Sequence, residues 1–353
     1  MREPTTVRQA RDVAAHWVAE HASRDPRFAG AYLSGSAAWL PADAPLPLGS
    51  DVDVMVVTEG AAPRAKLGKF PHHGVLLEVT YVPWDRLASP EAVLGSYHLA
   101  GAFRDPSAAT LLADPTGRLA PLYTAISGEF ARRRWVRRRC AQARRRVRDG
   151  LRGLNVARPW HELALAFAFP AGVTCHVLLT AALRNPTVRL RYLRVRELLA
   201  EHDRLELYEE LLTLLGCARM TPGRVARHLR AMTEVFDLTV PVAVTPHPFS
   251  SDITPEARPI AVDAAERLVA DGYHREAVFW ILTTYARCLT ILATDGSEAL
   301  RARCAPGFHE LLADLQLTSR ARVRQRAREV VGLLPRLDRV AEEVQAAHPG
   351  VRD

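Results

Sequence analysis

Lysine is almost missing from this 353-residue chain: of its 47 basic residues only Lys66 and Lys69 are lysines, and the other 45 are arginines. A bias of that size follows GC-rich coding as readily as function, so the net charge of +8 is weak evidence for nucleic-acid binding. Cysteine is also sparse. Cys140, Cys175, Cys217, Cys288 and Cys304 are widely spaced, odd in number and without a Cys-x-x-Cys pair, which indicates neither a disulfide framework nor a zinc site and fits a reducing cytoplasm. The start, Met1-Arg2-Glu3-Pro4, has no apolar segment of the secretory kind. No Gly-rich Walker phosphate loop occurs, and no Ser-His-Asp order can be defended. His72-His73 and His98 lack a third ligand at metal spacing and read as loop or core histidines.

What the chain does have is apolar material, 48% of its residues, enough for the cores of two domains. Near its start lies a compact set of polar residues inside apolar runs. In Ser50-Asp51-Val52-Asp53-Val54-Met55-Val56, a strand places Val52, Val54 and Val56 on one face and Asp51 and Asp53 side by side on the other. Two carboxylates about 7 Å apart along a strand repel each other unless a cation lies between them, and Mg²⁺ takes carboxylates together with phosphate oxygens. Glu78 sits in Val75-Leu76-Leu77-Glu78-Val79-Thr80-Tyr81-Val82, a run apolar enough for a buried strand. An unpaired charge there costs several kcal/mol, so something must share the burial with Glu78. If its strand neighbours that of the aspartates, Glu78 completes a metal cluster or takes the proton of an attacking hydroxyl. Upstream, Ala29-Gly30-Ala31-Tyr32-Leu33 reads as a strand entering Ser34-Gly35-Ser36, with Ala37-Ala38-Trp39-Leu40 opening a helix. Gly35 allows positive φ and close approach, and Ser36 adds a hydroxyl where anions are favoured. Such a turn suits the phosphates of a nucleoside triphosphate.

Taken singly, a Gly-Ser turn, an Asp-Val-Asp strand edge and a buried glutamate each have an ordinary structural explanation. In this order and on these elements they resemble the signature of the DNA polymerase β-like nucleotidyltransferase superfamily. The closest branches are the aminoglycoside adenylyltransferases and small bacterial nucleotidyltransferases, and the resemblance covers roughly residues 28 to 82. It implies phosphate binding at Gly35 and Ser36, with Ser50 beside them, Mg²⁺ ligation by Asp51 and Asp53, and Glu78 as metal ligand or base. The implied co-substrates are an NTP, ATP first, and Mg²⁺, two ions in the full site. Two departures stand out: Pro41, Pro45 and Pro47 crowd the spacer between Ser36 and Asp51, and Trp39-Leu40 replace the glycine usual in that helix.

The expected fold is α+β: an N-terminal nucleotidyltransferase mixed sheet flanked by helices over residues 1–125, then an all-α helical bundle over 126–353. Helices are expected at 5–22, 128–154, 160–183, 191–216, 222–236, 260–271, 273–294, 298–316 and 319–347. Pro241, Pro246, Pro248, Pro255 and Pro259 exclude regular structure from 241–259, which is either a boundary inside the bundle or an ordered loop over the active site. Asp114, in Asp114-Pro115-Thr116-Gly117, is a turn former and not a fourth catalytic carboxylate.

Eleven arginines between Arg132 and Arg152, Arg139 among them, share a segment whose Val136, Cys140, Ala143, Val147, Leu151 and Leu154 recur at spacings of three and four. That is an amphipathic helix with a cationic exterior: a solvated face first, a wall for triphosphate or anionic substrate second, an RNA contact third. From Leu163 to Leu183 no charged side chain occurs, yet Pro170, Gly172, Thr174, His176 and Thr180 interrupt the run, so a buried helix pair broken near Pro170 is expected rather than a membrane span.

The functional expectation is transfer of a nucleoside monophosphate to a hydroxyl of a small, aminoglycoside-like molecule in the cytoplasm. The helical part, by resemblance, supplies acceptor specificity. RNA or a partner protein, as in toxin-antitoxin modification, is the alternative acceptor, and an inactive regulatory module of the same fold is the non-enzymatic alternative.

Overall fold

The computed structural model describes residues 5–47, 49–60 and 66–353. The chain divides into two compact units, one of residues up to Gln142 with Leu183–Thr187 and His348–Asp353, the other of Ala143–Ala182 and Val188–Ala347. The division falls at 142/143 and not at the expected 125/126. The reason is that α4 (Leu119–Glu129) packs its Leu119, Leu122, Tyr123 and Ile126 into the core beneath the sheet.

The first unit is α+β as expected. Its elements are α1 (Val7–Glu20), β1 (Phe28–Leu33), α2 (Gly35–Trp39), β2 (Val52–Thr58), β3 (Gly68–His72), β4 (Val75–Pro83), α3 (Pro90–Leu94), β5 (Leu111–Ala113), α4 and the first part of α5 (Arg133–Arg152). The five strands form one mixed sheet in the order β3-β4-β2-β1-β5, with β2 and β4 parallel and the other neighbours antiparallel. Alternation sorts the side chains. Val52, Val54, Val56, Val75, Leu77 and Val79 point to the face covered by Ala10, Ala14, Trp17 and Val18 of α1. Val57 and Val82 join Tyr32, Phe103 and Tyr123 in the core on the other face.

Two expected features acquire their causes. The Pro-rich spacer is an ordered strap: Val7 and Arg8 donate to Ala44 and Ala42 carbonyls at 2.9 and 2.7 Å, and Leu46 donates to Thr5 at 2.8 Å. Arg11 secures the strap's root through Ala37 and Leu40 carbonyls at 2.9 and 3.1 Å. Trp39 lies under the Arg104 guanidinium at 4.3 Å and so close to Gly101 that a Cβ there would stand 2.6 Å from the indole. Asp114 accepts from the Arg118 and Ala120 amides at 3.0 and 2.9 Å and caps α4, as a turn former does.

The second unit is helical, continuing α5 and adding α6 (Trp160–Ala181), α7 (Arg191–Glu201), α8 (Leu205–Leu215), α9 (Pro222–Thr239), α10 (Ala264–Ala270), α11 (His274–Asp295), α12 (Glu298–Asp314) and α13 (Arg320–Ala347). α11 packs against α6 and α9. The expected helix over 191–216 is two helices, because Asp203 takes a left-handed φ of 53° between them. The apolar run holds one helix rather than a broken pair: α6 continues through Pro170, whose ring projects onto Gly150, where a Cβ would lie 2.8 Å away. α6 and α11 are each long and apolar enough to cross a membrane, and 78% of each apolar stretch is buried inside the protein. Segment 241–259 lies within this unit as short single turns, tied down by Asp295, which accepts from the Val244 and Thr245 amides at 2.8 and 2.9 Å. All five cysteines are buried, and none forms a disulfide.

The arginine helix buries Val136, Cys140, Ala143, Val147 and Leu151 as the spacing requires. Arg139, however, is not part of its cationic exterior. It is 2% exposed, donates to the Leu94 and Phe130 carbonyls at 3.1 and 2.7 Å and lies 4.3 Å over the Phe130 ring, and burial pulls its guanidinium down to about 10. Arg139→Ala leaves both carbonyls unsatisfied in the interior and should cost roughly 2–4 kcal/mol in urea denaturation, whereas Arg146→Ala on the exposed face should stay within about 0.5 kcal/mol.

Candidate metal and phosphate site

Register brings the predicted carboxylates together. In the β2–β4 pair Asp53 stands opposite Glu78, and in the β3–β4 pair Lys69 stands opposite the same Glu78, so Lys69, Glu78 and Asp53 form one row across three strands. Asp51 immediately precedes β2, and carboxylate oxygens of Asp51, Asp53 and Glu78 all lie within 4.8 Å of one another. The three are partly buried, with 12% of the Glu78 side chain exposed. Such a set of hard oxygen donors can hold a divalent cation.

What shares Glu78's burial is the pair of lysines. Lys69 Nζ lies 3.0 Å from Glu78 Oε1 and 3.3 Å from Asp51 Oδ2, and its side chain is only 5% exposed. Lys66 pairs with the same Glu78 oxygen from a more open position. Both residues were visible as the chain's only lysines, yet their role was not read from the sequence. The signal was their clustering, three positions apart, in a chain that uses arginine everywhere else. An ammonium is a compact point charge with freely rotating donors, and that of Lys69 sits between two carboxylates.

These partners set the protonation of each acid. Burial pushes the Asp51 carboxyl up to about 6 against the pull of Lys69, with Glu78 adding to the rise. Asp53, more deeply buried and facing both Asp51 and Glu78, is raised well above the ordinary carboxylate range. Burial also acts to raise Glu78, but Lys69 and Lys66 together overcome it and hold its carboxyl at about 2.

The Gly-Ser turn is fitted to this row. The Ser34 amide donates to the Asp53 carbonyl at 2.9 Å, and Gly35, with φ of +56°, lies so near the Asp53 carboxylate that a Cβ would overlap Oδ2 and stand 3.0 Å from Cγ. Gly35 is therefore required twice, by conformation and by space. Ser36 follows in the first turn of α2, and Ser50, whose amide donates to the Pro47 carbonyl at 3.0 Å, is joined to Asp51. α2 is only five residues long, ending before Pro41.

No protein family, no curated protein and no solved structure matches the chain in sequence or structure comparison.

Two outcomes test this geometry. Gly35→Ala should displace the Asp53 carboxylate and cost about 1–2 kcal/mol for left-handed backbone alone, read as a lowered melting temperature together with weakened divalent-metal binding. For Asp51, whose folded value of about 6 exceeds the unfolded value of about 3.9, the acid contributes stability below pH 4 that is lost as pH rises through 6. In chelator, Asp51→Asn should therefore match wild type near pH 4 and exceed it by about 2–3 kcal/mol above pH 6, with saturating Mg²⁺ removing that advantage. Paired thermal melts across that range decide it.

Proposed function

We propose that the chain is a Mg²⁺-dependent nucleotidyltransferase of the DNA polymerase β-like superfamily, moving a nucleoside monophosphate, AMP from ATP first, to a hydroxyl of a small aminoglycoside-like molecule. The observation that carries this reading is the convergence of Asp51, Asp53 and Glu78 within 4.8 Å, with Gly35 pressed against the middle carboxylate. The donor set fits Mg²⁺: three carboxylates, no sulfur or imidazole, and an ammonium already drawn to two of them.

A divalent cation held here would supply charge neutralisation for the phosphates of the nucleotide. Asp51 and Asp53 would hold it, and the raised proton affinity of both makes metal entry a displacement of protons. Gly35 lets the Asp53 carboxylate lie against the backbone of the turn, with the Ser36 hydroxyl in the first turn of α2. The acceptor oxygen forms its bond to the α-phosphorus as the bond to the bridging oxygen of pyrophosphate breaks, and the hydroxyl proton passes to a base or to water. A carboxyl held at about 2 is a poor base at neutral pH, which favours Glu78 as metal ligand and lysine anchor over proton acceptor. Lys66, 37% exposed and paired with Glu78, offers an ammonium that phosphate oxygens would also engage.

A second reading draws on one observation: two ammonium groups already neutralise the cluster without metal, as a regulatory module with a silent site would need. Incubation with each labelled NTP, Mg²⁺ and separate pools of small molecules, RNA and protein distinguishes the readings. Label transfer that falls more than about 100-fold in Asp53→Asn supports the enzyme, and the labelled pool names the acceptor class. Absence of both Mg·NTP binding and transfer sinks it. Lys69→Met should tighten Mg²⁺ binding, by removing a competing cation, while weakening NTP turnover. Unchanged metal affinity in calorimetry would show that Lys69 does not share the metal's place.

A further inference from the structure

On the opposite face of the same sheet, the fold assembles a second group of ligating side chains that the linear spacing of histidines does not reveal. His16 and Glu20 lie one turn apart on α1, with His16 Nδ1 3.3 Å from Glu20 Oε2. β3 ends at His72 on the face that meets α1, since Phe70, two residues earlier, packs on Trp17 at 5.6 Å. His73 follows in the two-residue turn to β4. One donor atom from each of His16, Glu20, His72 and His73 falls within 4.8 Å of all the others.

Three further features point to an ion. His72 Nε2 is buried and has no hydrogen-bond partner among the described residues, a state that costs about 1–3 kcal/mol if nothing fills it. The hairpin turn, closed by the His72–Val75 pair, needs positive φ at both central residues, and His73 and Gly74 supply 45° and 80°. His, with Asn and Asp, is among the residues enriched at positive φ, so the turn accommodates the His73 imidazole and holds its ring 4.3 Å from that of His72. Finally, His16 and Glu20 are 51% and 44% exposed, which gives an ion a way in from solvent.

We propose that His16, Glu20, His72 and His73 form a transition-metal site, of Zn²⁺ type, that clamps the β3–β4 hairpin to α1. Three imidazole nitrogens and one carboxylate oxygen complete a tetrahedral Zn²⁺ shell with no open position, the pattern of a structural site. Donors around Zn²⁺ at about 2.0–2.1 Å stand roughly 3.4 Å apart, so donors within 4.8 Å need only side-chain adjustment to close on the ion. The hard, all-oxygen cluster on the other face suits Mg²⁺, whereas imidazoles select borderline metals, so the two sites divide cations by chemistry. The site is independent of the transferase reading. It nonetheless holds the strand that carries Lys69.

The test uses the full chain without a histidine tag, stripped with chelator and titrated with Zn²⁺ against a chromogenic competitor, in the presence of Mg²⁺. One equivalent should bind and raise the melting temperature. His16→Ala should weaken that equivalent by more than about tenfold, and so should His73→Asn, which keeps a residue suited to the turn and guards against a folding artefact. Asp53→Asn should retain it. Co²⁺ in place of Zn²⁺ should give the intense visible absorption of tetrahedral coordination. The site is overturned if no equivalent competes with the indicator, if both histidine variants bind as wild type does, or if binding is lost in Asp53→Asn instead.

Discussion

Three carboxylates brought within 4.8 Å of one another in a partly buried row cannot all remain ionised without cations beside them, and that constraint organises the first unit. Lys69 meets it from the neighbouring strand and Lys66 from the segment leading into that strand. The protonation pattern is its direct result: the glutamate with two ammonium partners stays charged, while the aspartates, less well compensated, hold protons more tightly. A divalent cation would resolve the same conflict, because the row that carries this electrostatic burden is also a set of oxygen donors that can hold one.

The surrounding sheet serves this row. Valines on the α1 face bury the strands firmly enough that Asp53 and Glu78 are held opposite each other. Gly35, backed against Asp53, couples the Gly-Ser turn to the carboxylate row, so that a displacement of either is felt by both. The spacer between them, bonded along the chain's first described residues, keeps that coupling from loosening despite its three prolines.

Charge type is partitioned by task. Arginines form forked pairs such as Arg275 with Glu209, at 2.8 and 2.9 Å, or cap buried carbonyls as Arg139 does, work for a planar multi-donor group. The two lysines serve the carboxylate row, where Lys69 places a compact charge between Asp51 and Glu78. Read this way, the amphipathic helix of 133–152 is mostly solvated surface with one guanidinium turned inward, and its composition alone does not distinguish the two roles.

The α+β order, the strands around Asp53 and Glu78, the positive-φ turn at Gly35, the turn at Asp114 and the buried stripe of α5 were all legible in the sequence, because each follows from periodicity or backbone sterics among near neighbours. Less was legible wherever a distant partner overrides a local signal. Pro170 does not break α6, because Gly150 makes room for its ring, and Asp203 divides a helix whose pattern runs on. His72 and His73, poor metal ligands by spacing, gain His16 and Glu20 from α1. What the chain's order of residues determined by itself was the face on which each carboxylate emerges. Only the tertiary structure decided which residues share that face: a one-residue slip between β2 and β4 would have turned Glu78 toward α1, and the correct register exists because both faces of the sheet had to be buried at once.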